Sequence, residues 1–308
     1  AKNPEFGATF TYYLAEGLQT RKEARREAEK EKEKKNEDVL AANWDTVISE
    51  SLEDAPAVVF TIRNANGAIV NQVEGPVTPG FHRVAWNLRR PSVEPWSPPD
   101  PTHDEPQEGV GILVVPGQFT VEMQHRIDGE LVDIGQTQSF DVVSIRPDPV
   151  LPGSTQEQRV IFESQVEELI RAASGSTVAI DAVIAELDAV KATLDRSLTD
   201  GSLYELANSI QQQIKTQRDR INGNTMRDMY NDLPEMTVMA RLWHARFAPD
   251  MSAHGPTAAQ QDSLRIARKL YDEVYAELTR LVEVEYAGLK EAMDTARVPY
   301  TPGRGLQK

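Results

Sequence analysis

The chain contains no cysteine. Disulfide staples, thiolate catalysis and cysteine-ligated zinc are therefore excluded. A protein without thiols is compatible with an oxidising compartment, where no stray sulfur can mispair. There is also no apolar run near the 18 residues or so that a membrane-spanning helix needs. The opening residues, AKNPEF, lack a basic n-region and an apolar h-region, so they read as no signal peptide. Cationic excess is missing too. The formal net charge is −15, which argues against nucleic acid, whose phosphates call for a basic face, and against docking on anionic lipid.

Chemical signatures are equally scarce. No HExxH, no paired His at helical spacing, no GxxxxGK[ST], no dinucleotide fingerprint, no G-x-S-x-G elbow and no calcium loop occur in the 308 residues. Five histidines are present: His82, His103, His125, His244 and His254. His82 and His125 fall on strand candidates and read as rim residues. His103, followed by Asp104 and Glu105, is a weak cation ligand or a partner contact. Carboxylates are numerous, but spacing across unknown loops cannot pair two of them for acid–base work. The expectation is no cofactor, no metal and no catalytic residue.

What is present is a β-rich first half. Thr9–Leu14 is rich in aromatic and β-branched residues and reads as a first strand. From Ala57, the residues Val58, Phe60 and Ile62 alternate with Val59, Thr61 and Arg63, the pattern of a half-buried strand. Asn64-Ala65-Asn66-Gly67 then supplies the positive-φ positions of a tight hairpin. Val84, Trp86 and Leu88 share one face, as do Phe119, Val121 and Met123. Asp128-Gly129 forms the next turn, and Phe140 with Val142 closes a set of about eight strands. Short strands with frequent turn signals predict an antiparallel β-sandwich.

Two insertions interrupt it. Over Arg21–Asp38, 15 of 18 positions are charged, with the signs mixed. Pairs such as Glu31–Lys35 support an exposed helix without an apolar face. This is a solvated insertion (about 17–52) or a partner-docking arm, and Trp44, Val47, Ile48 and Leu52 at helical spacing tether its end to the sandwich. The second insertion, 89–109, is proline-rich and must run outside the sheet. Its Trp96 is either an anchor folded back on the sandwich or an exposed contact residue.

Residues 146–153 hold three prolines and a glycine and read as a stiff linker. Helical periodicity follows over 154–298. One helix starts near Ser154, a second near Thr177 with a stripe from Ile180 to Leu198, a third at Ser202, and a last after Pro256 with Thr257 as its cap. Met229, Met236 and Met239, near Pro234, either fill an irregular core or offer a plastic contact surface. The tail 299–308 reads as flexible. The predicted organisation is α+β and multidomain: an antiparallel β-sandwich over 1–145, then an α-helical bundle. Trp96, His103, Met229, Met236 and Met239 are the candidate partner contacts.

The order NPEFGATFTYYL, TRKEARREAEK, VVFTIRNANGAIVNQVEG, GFHRVAWNLRRP and PGQFTVEM resembles the C-terminal region of bacterial exported proteins with sortilin-like or BNR-type β-propeller repeats. These are often labelled glycosyl hydrolases. The resemblance spans most of 3–298, and the propeller repeats with their Asp-box turns are missing. It implies that the sandwich over 1–145 is immunoglobulin-like and that the chain is an extracytoplasmic, non-catalytic scaffold, an accessory subunit with protein partners in a larger envelope complex. A carbohydrate-binding module is the alternative, with a row of surface aromatics as its requirement. A hydrolase in its own right would need two carboxylates in a cleft.

Overall fold

The computed structural model describes residues 6–96, 111–144, 156–230, 232, 235–247 and 256–306. The protein is α+β, with two small antiparallel sheets and seven helical stretches among these residues. Contacts divide it into two compact units. One comprises Ala1–Pro91 with Val110–Asp148, the other Ser92–Gly109 with Pro149–Lys308.

Among the described residues six strands build the first unit, against about eight expected. They are β1 (Ala8–Leu14), β2 (Ala57–Asn64), β3 (Ile69–Gly75), β4 (Gly80–Trp86), β5 (Gly117–Ile127) and β6 (Glu130–Val142). β1 pairs with β4 alone, and the other sheet runs β3-β2-β5-β6. Both predicted turns are present. In the first, only Gly67 of the Asn66-Gly67 pair has positive φ, 79°, and the Asn64 Oδ1 accepts from the Asn66 and Ala68 amides. Asp128 and Gly129 have φ 50° and 81° in the second, the two left-handed residues a mirror-image turn requires.

The two sheets share one core. Trp86, almost fully buried, packs edge-on to Phe119, which stacks on Phe140. Phe140 meets Phe10, Phe10 meets Phe60, and Phe60 meets Tyr12, with ring centroids 5.1–5.7 Å apart along this run. Trp86 Nε1 donates to Arg89 O at 2.8 Å, and Asn71 Nδ2 donates to the same carbonyl, fixing the chain as it leaves β4. β2 is buried on both faces rather than one. On its second face Thr61 donates to Gln124 and accepts from Gln72, a side-chain ladder across three strands that covers it.

Two helices belong to the insertion before β2. α1 (Arg21–Lys34) starts on a reciprocal cap between Thr20 and Glu23 and has no buried residue. α2 (Trp44–Ser51) does not use its apolar stripe as a tether. Trp44, Ile48 and Leu52 stay exposed, and the helix is held to α1 through a fork of Arg25 on Glu50 at 2.6 and 2.7 Å. A single charge-assisted, two-pronged bond thus replaces the expected hydrophobic contact.

The second unit is helical: α3 (Gln156–Leu194), α4 (Ser202–Asn222), α5 (Thr225–Met229), α6 (Val238–Phe247), α7 (Ala258–Thr279), a π-helical segment (Arg280–Tyr286) and α8 (Ala287–Thr295), the last three continuous. α3 is one helix, not two. A glycine inside a helix costs only about 1 kcal/mol relative to alanine. The turn around Gly175 is held by Thr177 bonding back to Ala173 O and by Ser176 bonding to the Tyr271 hydroxyl. Leu198, expected on its stripe, lies past its end and is fully exposed. Thr257 caps α7 as predicted, reciprocally with Gln260. Large side chains such as Ile170, Leu187, Ile210, Leu242 and Leu281 are buried completely. Each contributes about 1.5–3 kcal/mol by leaving water.

The tail differs from its prediction. Arg304 is buried, its guanidinium bonded to Asp294 and to the carbonyls of Val298 (3.1 Å) and Pro299 (2.8 Å), and Thr301 is inaccessible. A buried cation with its donors used is a fold element, not a loose end.

Candidate functional site

A concavity with a volume of about 1270 Å³ lies in the first unit, between β1 and β6. Its floor is the aromatic run plus Val121 and Met123. Its walls are two strands at the rims of their sheets. Among the described residues no strand pairs with the outer edge of β1, and none with the outer edge of β6. In an antiparallel strand every other residue turns its N–H and C=O away from its partner, so each rim carries a row of unspent backbone groups.

The register explains why the groove is open. Val121 faces Gln138 and Met123 faces Gln136 across β5 and β6, so these two glutamines lie on the core side of the sheet. Val121 and Met123 are buried, yet Gln136 and Gln138 are exposed. Sheet β1–β4 covers β2 and β5 and reaches β6 at Phe140, through Phe10 and Trp86, but leaves Gln136 and Gln138 uncovered. The ladder also slips between Met123 and Gln124, where Gly135 takes φ 73° and its amide is capped by Asp133 Oδ1 at 2.8 Å. This bulge directs Ile134 into the groove. His125, from β5, also lines it, and His125 Nε2 is buried with no hydrogen-bond partner among the described residues. The charged lining residues are Glu16 and Asp141, both acidic, with no lysine or arginine beside them.

The residues singled out from sequence lie elsewhere. Trp96 is 83% exposed, while its neighbour Val93 packs on the helical core and Glu94 pairs with Arg246 at 3.7 Å. The start of the proline-rich loop thus belongs to the helical unit. Met229 and Met236 are exposed, whereas Met239 is partly buried against the helical core. His103 lies outside the described residues. The structure does not bring Trp96, Met229, Met236 or Met239 into the groove. The groove itself had one sequence signal, the polar Gln136 and Gln138 at positions in step with Phe140 and Val142.

No cluster of three or more His, Asp or Glu able to hold a metal occurs among the described residues. His82 Nε2 is engaged with Thr78 O at 2.6 Å. No described helix is long and apolar enough to cross a membrane. Other exposed apolar surface is carried by Trp44, Ile48 and Leu52 on α2, and by Tyr13 and Phe81, whose rings meet at 4.8 Å on the outer face of β1–β4. No protein-family model matches the chain, and comparisons with curated proteins and with solved structures likewise find no match.

Proposed function

We propose that the protein is a non-catalytic structural and interaction protein, an extracytoplasmic accessory subunit that docks on a larger envelope assembly. The observation that carries this reading is the open apolar groove flanked by two unpaired strand rims. Exposed apolar surface of this kind is a feature of recognition surfaces. The exposed Trp96 and the uncovered stripe of α2 add to it. The first unit is read as an immunoglobulin-like sandwich on the basis of its two antiparallel sheets around one core. The second is read as a helical bundle because its helices share a single apolar cluster.

Cross-linking mass spectrometry on native envelope material tests the reading. Reproducible cross-links from the first unit, α2 or the Trp96 loop to one set of envelope proteins are the expected result. A chain recovered free, with no reproducible cross-links, overturns it. Deleting residues 92–107 is expected to weaken partner recovery, and an unchanged partner removes the loop from the interface.

A second reading, a carbohydrate-binding module, is favoured by the exposed Tyr13–Phe81 pair, since flat ring surfaces can stack on sugars. A silent glycan array removes it.

A further inference from the structure

We infer that the groove between β1 and β6 takes an extended segment of a partner protein, which adds a third strand to the β1 sheet. This deepens the interaction reading above and rests on it. Three features of the groove call for a strand. The outer edge of β1 has no partner strand among the described residues, and alternate residues along Ala8–Leu14 present backbone donors and acceptors there. The core face of β6 is uncovered at Gln136 and Gln138, the place a third strand beside β1 would occupy. His125 Nε2 is buried beside the same space, with no hydrogen-bond partner among the described residues. Buried polar groups are normally paired, so an occupant with backbone polar groups of its own is implied.

The chemistry of that occupant follows from the lining. A strand has a period of two, so its inward residues meet Phe10, Phe140 and Met123 and are apolar. The charged lining residues are at the rim, Glu16 beyond the end of β1 and Asp141 on the edge strand β6, where it alternates away from the core face; in a chain of net charge −15 this makes the flanks of the incoming strand basic. An acyl chain would fill the apolar floor but satisfy neither the β1 edge nor the glutamines. A second copy of this chain would bring acidic groups against acidic ones. Strand addition to a sheet edge draws affinity from main-chain bonds and specificity from alternate side-chain pockets.

The test uses the full chain and synthetic peptides of about nine residues, long enough to span β1. They carry Val, Leu or Phe at alternate positions, Thr between them and Lys at both ends. Calorimetry gives affinities, and amide exchange locates the site. Saturable binding of at least one peptide is expected, with slowed exchange along β1. Binding should weaken about tenfold or more with N-methylation of the edge-facing amides, with Glu in place of the terminal Lys, and in Gln138→Arg. Gln138 is exposed, so this variant keeps its fold, which circular dichroism checks.

Equal binding of the N-methylated peptide overturns strand pairing. Displacement of the peptide by palmitate, with palmitate binding tighter, assigns the groove to lipid and overturns the inference. Dimerisation that protects β1 assigns the edge to a second copy and overturns it equally. If no peptide binds while envelope cross-links persist, the strand inference falls and the interaction reading stands. If both fail, the interaction reading falls as well.

Discussion

Tyr286 donates its phenolic hydrogen to Glu186 Oε2 at 2.9 Å, joining α8's approach to the middle of α3 across 100 residues. The ring is almost fully buried, and Lys290 Nζ sits 4.5 Å from its centroid. Gly303 of the tail, at φ 79°, lies so close to the Glu186 carboxylate that a Cβ there would strike it. This contact is where helix, π-segment and tail meet.

Burial, and then the bond to Glu186, pushes the Tyr286 hydroxyl above its ordinary value of about 10. A group whose folded pKa is raised contributes stability that is complete below its unfolded pKa and lost as pH climbs through the folded one. The helical unit should therefore weaken from about pH 10 upward. Tyr286→Phe should cost about 1–2 kcal/mol near neutrality and flatten the alkaline loss. Urea unfolding followed by circular dichroism, on both sides of that pH, measures each effect.

The Arg25–Glu50 fork makes α2's attachment acid-sensitive. Hydrogen bonds from Arg25 hold the Glu50 carboxyl below the usual carboxylate range. Its contribution is present above the unfolded value, about pH 4.3, and is lost as pH falls through the folded one. Glu50→Gln should lower amide protection in α2 at neutral pH, measured as intrinsic over observed exchange rate, to the level the parent chain shows only in acid, while the strands keep theirs.

Gln211 is a polar side chain inside the helical core, with no accessible surface. Its Nε2 donates to Ile184 O and Asp188 Oδ1, and its Oε1 accepts from Lys191 Nζ at 2.6 Å. Gln211→Ala strips partners from three groups and leaves a cavity. A loss of about 2–4 kcal/mol is expected by chemical denaturation. Asp188 and Lys191, 3.2 Å apart, retain each other.

Trp86 separates packing from hydrogen bonding in the first unit. Trp86→Ala should cost about 3–5 kcal/mol. Trp86→Phe keeps a ring against Phe119 and loses the bond to Arg89 O, with a smaller loss of about 1–2 kcal/mol. If the two variants unfold alike, the indole bond matters more than the ring.

Local chemistry was legible where it is decided locally. Asn66-Gly67 and Asp128-Gly129 announced their turns because few residues tolerate positive φ, and Thr257 announced a cap because its side chain finds an amide within one turn. Features decided by tertiary contact were not. The spacing predicts a second helix starting near Thr177, but α3 runs on through that point, where Tyr271, far along the chain, bonds to Ser176. Trp44, Ile48 and Leu52 have the spacing of a buried stripe, but nothing in spacing says whether a partner surface exists. The groove depends on how far one sheet overlaps the other, a property of sheet order that no single strand encodes. Only the polar Gln136 and Gln138 on an inward face hinted at it.

The π-helical segment changes what a single-residue deletion would mean. Buried positions on α7 follow at three and four, through Leu264, Ala267, Tyr271, Val274, Leu278 and Leu281, and then jump by five to Tyr286 before resuming at Leu289 and Met293. The wider turn absorbs one extra residue. Loss of one residue from Arg280–Tyr286 would turn everything beyond it by about 100°. Tyr286 would swing from Glu186, Leu289 and Met293 would leave the core, and Asp294 would move off Arg304. The same loss within α1, which buries no residue, would disturb little beyond its own cap and its Arg25 fork. Tolerance of length variation is therefore uneven along this chain, and least where the last helix changes its winding.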